Sequence, residues 1–481
     1  MGHPSSRDVH PREIMAVLVT ACVSFSLAQT VVVPALPAIA ADVGATTSAT
    51  SWLLTGFLLS ASVATPIVGK LGDVHGRGRV LAVVLLVFAA GGVVNAFADS
   101  LAVLVAGRVL QGVAGGVFPL AFGIVRDTFP REKVPGALGI VSAVFGIGGG
   151  IGLPLSGVIL DHADVSLIFW VNVVALPAAV AAWRVVPRGE SRAPVRIDWL
   201  GAGLLSAALT ALLLGVSQSG RWGWGSPLTL GCIAAGLVVL AVWVAVESRV
   251  REPLIAMAVL RRPVVAATNL AGLLVGVSMF ASFLSIPQFA QAPESTGYGF
   301  GASVTVAGLM LVPIAAAQLA TGAFVGRLER RLGSRLVLAA GTVLAAAAFG
   351  GMALAHAAPW QFVVFGSLFG VGLTLSLASM ANLVVGAVDP HEIGVASGIN
   401  TVTRTVGGSF GAAIAAAILS THTIADGPVP TEGAYVATFA FSAGAALLAL
   451  VATLAVPRPH SARAHRVPPA PVAEVEEPAG V

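Results

Sequence analysis

The chain has 481 residues, of which 57% are hydrophobic and 10% are charged, and its formal net charge is +4. This composition excludes a soluble enzyme and indicates an integral membrane protein. The basic residues are spread over short loops, so they predict topology signals and contacts with the lipid bilayer, and no nucleic-acid partner.

The hydropathy pattern predicts fourteen membrane helices, because each apolar run has roughly 18–25 residues, enough to cross a ~30 Å hydrocarbon core. The predicted helices lie near 14–36, 51–71, 80–98, 101–125, 136–160, 165–186, 199–217, 227–247, 264–289, 303–325, 336–355, 359–386, 394–420 and 433–456. All but three of the 26 Lys and Arg residues then fall on one side of the membrane; Arg221 falls outside, and Arg108 and Arg404 fall within spans. The positive-inside rule therefore predicts that both termini are cytoplasmic.

A charged, glycine-rich turn follows the second predicted helix. It contains Gly69, Gly72, Asp73, Gly76, Arg77 and Arg79. Charge-assisted bonds between the acid and the arginines would hold one arrangement of the helices and break in another, which predicts a gating turn. The alternative is that the arginines only set topology. A similar turn, Gly326 to Arg335, follows the tenth predicted helix and indicates a repeated half.

Two arginines lie within apolar spans, where a charge is costly and indicates a functional site. Arg108 shares a glycine-lined helical face with Gln111, and Arg404 lies one turn after Asn400. Both arginines are predicted to present a cation to a cavity. The alternative for Arg108 is a structural role, with bonds to neighbouring carbonyl groups. Further polar side chains predicted to contact a substrate are Gln29, Asn269, Gln288 and Asn382.

The fifth predicted helix carries Gly146, Gly150, Gly152, Pro154 and Gly157. Glycine and proline in a membrane helix permit bending and also close packing, and the sequence leaves both roles open. The run loosely matches a dinucleotide-binding fingerprint. No strand precedes it, so that interpretation is rejected.

Several absences from the sequence narrow the function. No Asp or Glu is predicted well inside a span, so no buried carboxylate is available as a proton relay. No Walker motif and no cluster of catalytic side chains occur, so neither an ATP-driven pump nor a membrane enzyme is predicted. Cys22 and Cys232 fall within spans without a metal-binding motif, so neither a metal nor a cofactor is predicted.

Together these features resemble the fourteen-helix drug:proton antiporters of the major facilitator superfamily. The turn after helix 2 is similar to the family's gating motif, and Leu104 to Gly116 is similar to its helix 4 motif. The helix 5 run is similar to its antiporter motif, although Leu153 separates Gly152 from Pro154. Ala28 stands where many members carry a helix 1 Asp that works with the helix 4 arginine in proton exchange.

The resemblance implies an all-α membrane fold in which one bundle of six helices rocks against another. The implied segments are a cytoplasmic N-terminus (1–13), an N-terminal bundle (14–186), a linker with two inserted helices (187–263), a C-terminal bundle (264–456) and a disordered cytoplasmic tail (457–481). It also implies a monomeric exporter of hydrophobic or amphipathic small molecules in a bacterial plasma membrane, driven by protons.

The buried arginines predict an electropositive cavity, which favours neutral or anionic substrates over cationic dyes. If protons drive export, the candidate groups lie at helix ends: Asp73 and Asp127 at inner ends, and Asp161, Glu294, His162 and His356 at outer ends. A search for a replacement of the helix 1 acid begins with Asp127, Asp161 and Glu294. An uncoupled facilitator or exchanger is one alternative function. A non-transporting sensor built on a transporter scaffold is another.

Overall fold

The computed structural model describes residues 11–45, 47–50, 52–187, 198–250, 253–390, 392–421, 423–424 and 429–457. Residues 1–10 of the predicted N-terminal segment, 188–197 of the predicted linker and 458–481 of the predicted tail lie outside this part of the chain.

Within the described ranges, fourteen helices are long and apolar enough to cross a membrane, which confirms the predicted number. They are α1 (Pro11–Leu36), α2 (Trp52–His75), α3 (Arg77–Ala96), α4 (Leu101–Thr128), α5 (Val134–His162), α6 (Leu167–Val185), α7 (Trp199–Trp222), α8 (Pro227–Glu247), α9 (Pro263–Gln291), α10 (Thr305–Leu332), α11 (Ser334–Leu354), α12 (Pro359–Ala387), α13 (Ile393–Ser420) and α14 (Glu432–Leu454). Helix α1 has a turn at Val31. Its second segment, Val32–Asp42, extends beyond the apolar span that ends at Leu36. Tighter 3-10 turns occur at Val113–Gly116 in α4 and at Val171–Val174 in α6.

Two helices extend further than the hydropathy pattern predicts. The second was predicted to end near residue 71 and runs to His75; the tenth was predicted to end near residue 325 and runs to Leu332. Each is followed by a glycine with positive φ, +94° at Gly76 and +80° at Gly333, a backbone conformation that favours glycine. Asp73 therefore lies inside a helix and not in a turn.

The helices pack as two groups and one pair. In the first group α1 packs on α5 and α6, and α4 packs on α2 and α3. In the second, α9 packs on α12, α13 and α14, and α11 packs on α12 and α14. Helices α7 and α8 pack on each other, and α7 also touches α2 and α13, one helix from each group.

The two groups meet along α5 with α10 and α12, and along α13 with α2 and α4. Small residues allow the close approach of α5 and α10. A Cβ on Gly326 would lie 2.6 Å from the Cα of Gly136, and one on Gly322 would lie 2.6 Å from the Cβ of Ala143. We call this contact the α5–α10 seam. We call the end of the molecule that carries the α2–α3, α4–α5 and α10–α11 turns the basic face.

Candidate functional site

A small cavity lies between the two helix groups, level with the middle of α2. Its lining combines four phenylalanines, several small or polar side chains and one arginine: Phe25, Gln29, Leu58, Ala61, Ser62, Thr65, Gly115, Phe118, Phe145, Phe280, Thr401, Arg404 and Thr405. Its open volume is about 20 Å³, room for roughly one water molecule. Pockets for drug-sized molecules hold roughly 300–1,000 Å³, so this central cavity must open before it can admit one.

Arg404 supplies the single charge on the described lining of the central cavity. The residue is 8% exposed, and its guanidinium carbon lies 5.4 Å from the centre of the Phe145 ring. No hydrogen bond joins this guanidinium group to any residue that the structure describes. A buried cation with an aromatic neighbour and no protein acceptor keeps its donors available to a bound molecule. Gln29 shares the same cavity wall.

Arg108 lies outside this cavity, inside the first helix group. It is fully buried, and it donates to the carbonyl oxygens of Leu53 at 3.2 Å and Ala28 at 3.0 Å. It also donates to Oε1 of Gln111 at 3.0 Å, and its guanidinium carbon lies 4.1 Å from the centre of the Phe57 ring. The predicted cavity-facing position is therefore not observed. Nη2 has no hydrogen-bond partner among the described residues. Because carbonyl groups and an amide accept from Nε and Nη1, the geometry favours the structural role.

Other polar residues predicted to contact a substrate are dispersed. Asn400 donates to Oδ1 of Asn269 at 3.0 Å and to the carbonyl oxygen of Thr268 at 3.4 Å, so it connects α13 with α9. Gln288 is exposed near the end of α9, away from the central cavity. Asn382 donates to the Glu329 carboxylate between α12 and α10. The sequence placed all of these in spans, but only the packing decides which side of each helix faces the cavity.

Asp73 connects the two helix groups at the basic face. Its carboxylate accepts from the backbone N–H groups of Gly394 at 3.3 Å and Val395 at 3.4 Å, in the first turn of α13. The N-terminus of a helix favours a nearby anion, because its N–H groups are unpaired and its dipole is positive there. Arg77 donates to the same carboxylate at 2.7 Å and 3.1 Å, so the predicted pairing of the acid with the arginine is present.

Arg77 extends this connection to α4 and to the chain before α13. Its guanidinium group donates to the Asp127 carboxylate, and to the carbonyl oxygen of Pro390 at 2.5 Å. Arg77 is 8% exposed, whereas Arg79 is exposed. The predicted gating turn therefore uses one of its two arginines as a cross-link between the groups. We call the bonds of Asp73 and Arg77 to the second group the gate contacts.

The glycines of the gating turn allow this close approach. A Cβ on Gly69 would lie 2.5 Å from the carbonyl oxygen of Gly394, and one on Gly72 would lie 2.2 Å from Cδ2 of Leu120. Real Cβ contacts are essentially never this short. Glycine at position 69 therefore sets the distance between the backbones of α2 and α13, whereas at position 72 it leaves room for the end of the Leu120 side chain.

Two further arginines close the basic face, and sequence reasoning missed this role. Arg126 donates to the carbonyl oxygens of Val385 and Val388, the latter at 3.1 Å, and Arg262 donates to that of Ala387 at 2.5 Å. Cations at the last carbonyls of a helix, here α12, complement its dipole. The partners of Arg126 lie about 260 residues away along the chain, so no local pattern could reveal the contact.

The glycines of α5 contact both helix groups. Cβ atoms built on them would lie 2.0 Å from Gln318 Oε1 (Gly146), 2.2 Å from Ala315 Cβ (Gly150), 2.0 Å from Thr30 Oγ1 (Gly152) and 2.8 Å from Thr305 Oγ1 (Gly157). Pro154 stands within a helix that is continuous from Val134 to His162, and it packs against Gly308. The structure thus shows close packing on α1 and α10; bending at these residues stays a prediction.

Three buried carboxylates lie within one turn of a helix end, so the prediction that no carboxylate lies well inside a span stays a prediction. The Asp73 side chain is 2% exposed, Glu247 is 1% exposed and Glu329 is 6% exposed, and all three belong to membrane-length helices. These helix ends extend beyond the most apolar residues and carry the three acids into packed positions.

The sequence model of the Major Facilitator Superfamily matches residues 18–292 and 268–477. The chain belongs to this superfamily. The family predicted from the gating turn, the helix 4 motif and the helix 5 run is thereby confirmed. The predicted all-α fold with fourteen membrane helices is confirmed as well.

Several relatives within the superfamily are named as exporters. The cephamycin export protein of Amycolatopsis lactamdurans is 33% identical over 421 residues, covering 82% of this chain and 83% of that protein. The tetracenomycin C resistance and export protein of Streptomyces glaucescens is 30% identical over 402 residues, covering 82% and 74%. An uncharacterised MFS-type transporter of Mycobacterium tuberculosis is 31% identical over 423 residues. The match covers 86% of this chain, which spans about three fifths of the length of that relative.

Solved structures show the same fold. The human organic anion transporter MFSD10 superposes with a TM-score of 0.64 at 17% identity, over 92% of this chain and all of that one. An auto-inhibited peptide transporter of the POT family gives a TM-score of 0.63 at 18% identity. At this level of identity the likeness concerns the fold alone.

Proposed function

We propose that this protein is a secondary transporter that exports hydrophobic or amphipathic small molecules, and that it is not an enzyme. One observation carries the proposal: the buried guanidinium group of Arg404, without a hydrogen-bond acceptor among the described residues, lines a cavity between the two helix groups. A charge within the membrane is costly, so its presence indicates a function. The names of relatives from antibiotic-producing bacteria support the direction of transport.

The lining of the central cavity favours neutral or anionic substrates. Four phenylalanine rings provide an apolar surface, and the lining residues that the structure describes include no carboxylate. A cationic substrate would meet Arg404 without a compensating acid, and like charges in a medium of low dielectric repel strongly. An anionic group could instead receive charge-assisted hydrogen bonds from the guanidinium group.

Transport would proceed by alternating access between the bundles 14–186 and 264–456, with the linker and inserted helices 187–263 alongside them. In the present conformation the gate contacts hold the basic face closed, and the central cavity has almost no open volume. Export requires the basic face to open and admit substrate. The substrate is then released on the opposite side of a bacterial plasma membrane. In this orientation both termini and the basic face lie in the cytoplasm. The transporting unit would be a monomer.

Reconstitution into liposomes tests this proposal. Uptake of matched anionic, neutral and cationic amphiphiles is measured under an imposed pH gradient, with internal pH recorded. We expect the anionic and neutral compounds to accumulate and Arg404→Ala to abolish preference for the anion. Arg221→Ala, at the exposed end of α7, is the matched control and should behave as wild type. Transport confined to cationic compounds, or an unchanged preference in Arg404→Ala, would contradict the proposed substrate class.

A further inference from the structure

Glu329 is a buried carboxylate in a neutral environment. One carboxylate oxygen accepts from the side-chain amide of Asn382, and the other has no hydrogen-bond partner among the described residues. The hydroxyl groups of Ser379 and Ser334 lie beside it. Helices α10, α11 and α12 thus surround the carboxyl group with an amide and two alcohols, and none of these groups carries a charge.

Charged groups on the surrounding elements face elsewhere. On α10, Arg327 lies over the Phe324 ring, Arg331 is exposed and Arg330 donates to the carbonyl oxygen of Glu132 before α5. On α11, Arg335 donates to the carbonyl oxygen of Leu454 at the end of α14. The exposed charged groups directly before α5 are Arg131, Glu132 and Lys133, and α12 contributes no titratable side chain over its length. No ion pair therefore joins Glu329 to a cation in the described part of the chain.

The two repeated turns differ in the residue that follows the glycine with positive φ. In the first half, Gly76 with positive φ precedes Arg77, and this arginine pairs with Asp73. In the second half, Gly333 with positive φ precedes Ser334, so a serine occupies the place of the arginine. Glu329 lies four residues before Gly333, whereas Asp73 lies three residues before Gly76, so the two acids do not occupy equivalent positions. The second half nevertheless has a buried acid near the end of its helix and no arginine directly after the glycine.

A buried carboxylate without a counter-charge is costly when ionised and much less costly when it holds a proton. Its position makes that cost depend on conformation. Glu329 lies less than one turn beyond Gly326, which packs on Gly136 in the α5–α10 seam. Opening the basic face separates α5 from α10 and admits water to this end of the seam, where an ionised carboxylate is well solvated.

We propose that Glu329 is a proton-binding site of this transporter and that release of its proton is linked to opening of the basic face. On opening, the carboxylic O–H bond breaks, the proton passes to water and the carboxylate remains; on closing, the carboxylate takes a proton from water. This inference rests on the proposed transport function. It assigns the proton site to a residue of the second half, where the usual helix 1 acid is replaced by Ala28.

A distance measurement that needs no substrate tests the inference. Spin labels are attached at Arg131→Cys and Leu332→Cys, on the two sides of the seam, after replacement of Cys22 and Cys232 in the full-length protein. Double electron–electron resonance then gives the ratio of open to closed molecules as a function of pH. Because the closed state holds the proton more tightly, the closed fraction should rise as pH falls. We expect a change of about tenfold in the ratio across the titration, equivalent to about 1.4 kcal/mol.

Three variants make the outcome decisive. Glu329→Gln keeps an acceptor for Asn382 but cannot titrate, so its distances should stay near the closed value and be independent of pH. Glu247→Gln is the matched control, because Glu247 is equally buried but accepts from the N–H group of Ile255 at 2.7 Å and lies on the peripheral helix α8. Glu329→Asp, which titrates, should restore pH dependence. If Glu329→Gln retains the wild-type pH dependence, or wild type shows none, the inference is wrong.

The transport assay separates this inference from the proposed function. Wild type that moves none of the amphiphiles would contradict the proposed function, while the distance measurement would still test proton binding. Wild type that transports with coupled proton flux, together with Glu329→Gln that exchanges substrate but no longer responds to internal pH, would support both. Unaltered proton coupling in Glu329→Gln would overturn the inference and leave the transport function intact.

Discussion

Alanine at Gly69 should open the basic face. The added methyl group would lie 2.5 Å from the carbonyl oxygen of Gly394, and ordinary contacts begin at 3.4 Å. The methyl carbon would be attached to the backbone of α2, and the carbonyl oxygen belongs to the backbone of α13. Neither atom can move independently of its helix, so α2 and α13 must separate by about 0.9 Å to relieve the clash. That movement lengthens the bonds from Gly394 and Val395 to Asp73, now 3.3 and 3.4 Å, to more than about 4 Å.

The energetic effect follows from the two lost bonds. A hydrogen bond to a charged group contributes about 1.5–3 kcal/mol, and the lower value suits these long bonds. Their loss would destabilise the closed state by about 3 kcal/mol, which changes the ratio of closed to open molecules about 100-fold. We expect the ratio of open to closed molecules to increase about 100-fold.

Thiol labelling measures the change directly. Ser397 on α13 is 3% exposed, so a cysteine in its place, in a protein without Cys22 and Cys232, reacts only when the face opens. Gly69→Ala should raise the labelling rate about 100-fold. Gly350→Ala is the control, because a Cβ on Gly350 in α11 has no atom within 4 Å among the neighbours considered. Equal labelling rates in the two variants would refute the claim that this glycine sets the closed distance.

Two further predictions concern the arginines. Lysine in place of Arg77 cannot bond to Asp73, Asp127 and the carbonyl of Pro390 at once, so Arg77→Lys should destabilise the closed state by about 2 kcal/mol and raise thiol labelling about 30-fold; a rate equal to wild type would show that charge alone suffices. Arg108→Ala removes three hydrogen bonds and should lower thermal stability by about 3 kcal/mol, whereas Arg404→Ala removes none to the described protein and should lower it by less than about 1 kcal/mol. The reverse order in thermal unfolding would contradict the roles assigned to the two residues.

The ion pair in the predicted gating turn was predictable because its two partners are close in sequence. Asp73 and Arg77 are four residues apart, so local spacing indicates their ion pair. Their contacts with Gly394 and Pro390 are not local, since more than 300 residues separate the two sides. The sequence thus predicted a gating element, but the atoms that it holds appeared only when the two halves were packed together.

The sequence by itself determined the number of membrane helices and the superfamily. Helix number follows from the length of each apolar run, because a backbone in lipid must satisfy its hydrogen bonds internally and therefore forms a helix. The motifs that identify the superfamily are short and contiguous, so they can be read without a structure.

Only the tertiary structure decided the roles of the buried charges. Arg108 and Arg404 look equivalent in sequence, yet one is surrounded by carbonyl acceptors and the other faces a cavity. Glu329 looks like a loop residue, yet it is buried against α12. The cost and use of a charge depend on the groups within a few ångströms of it, and in this fold those groups come from distant parts of the chain.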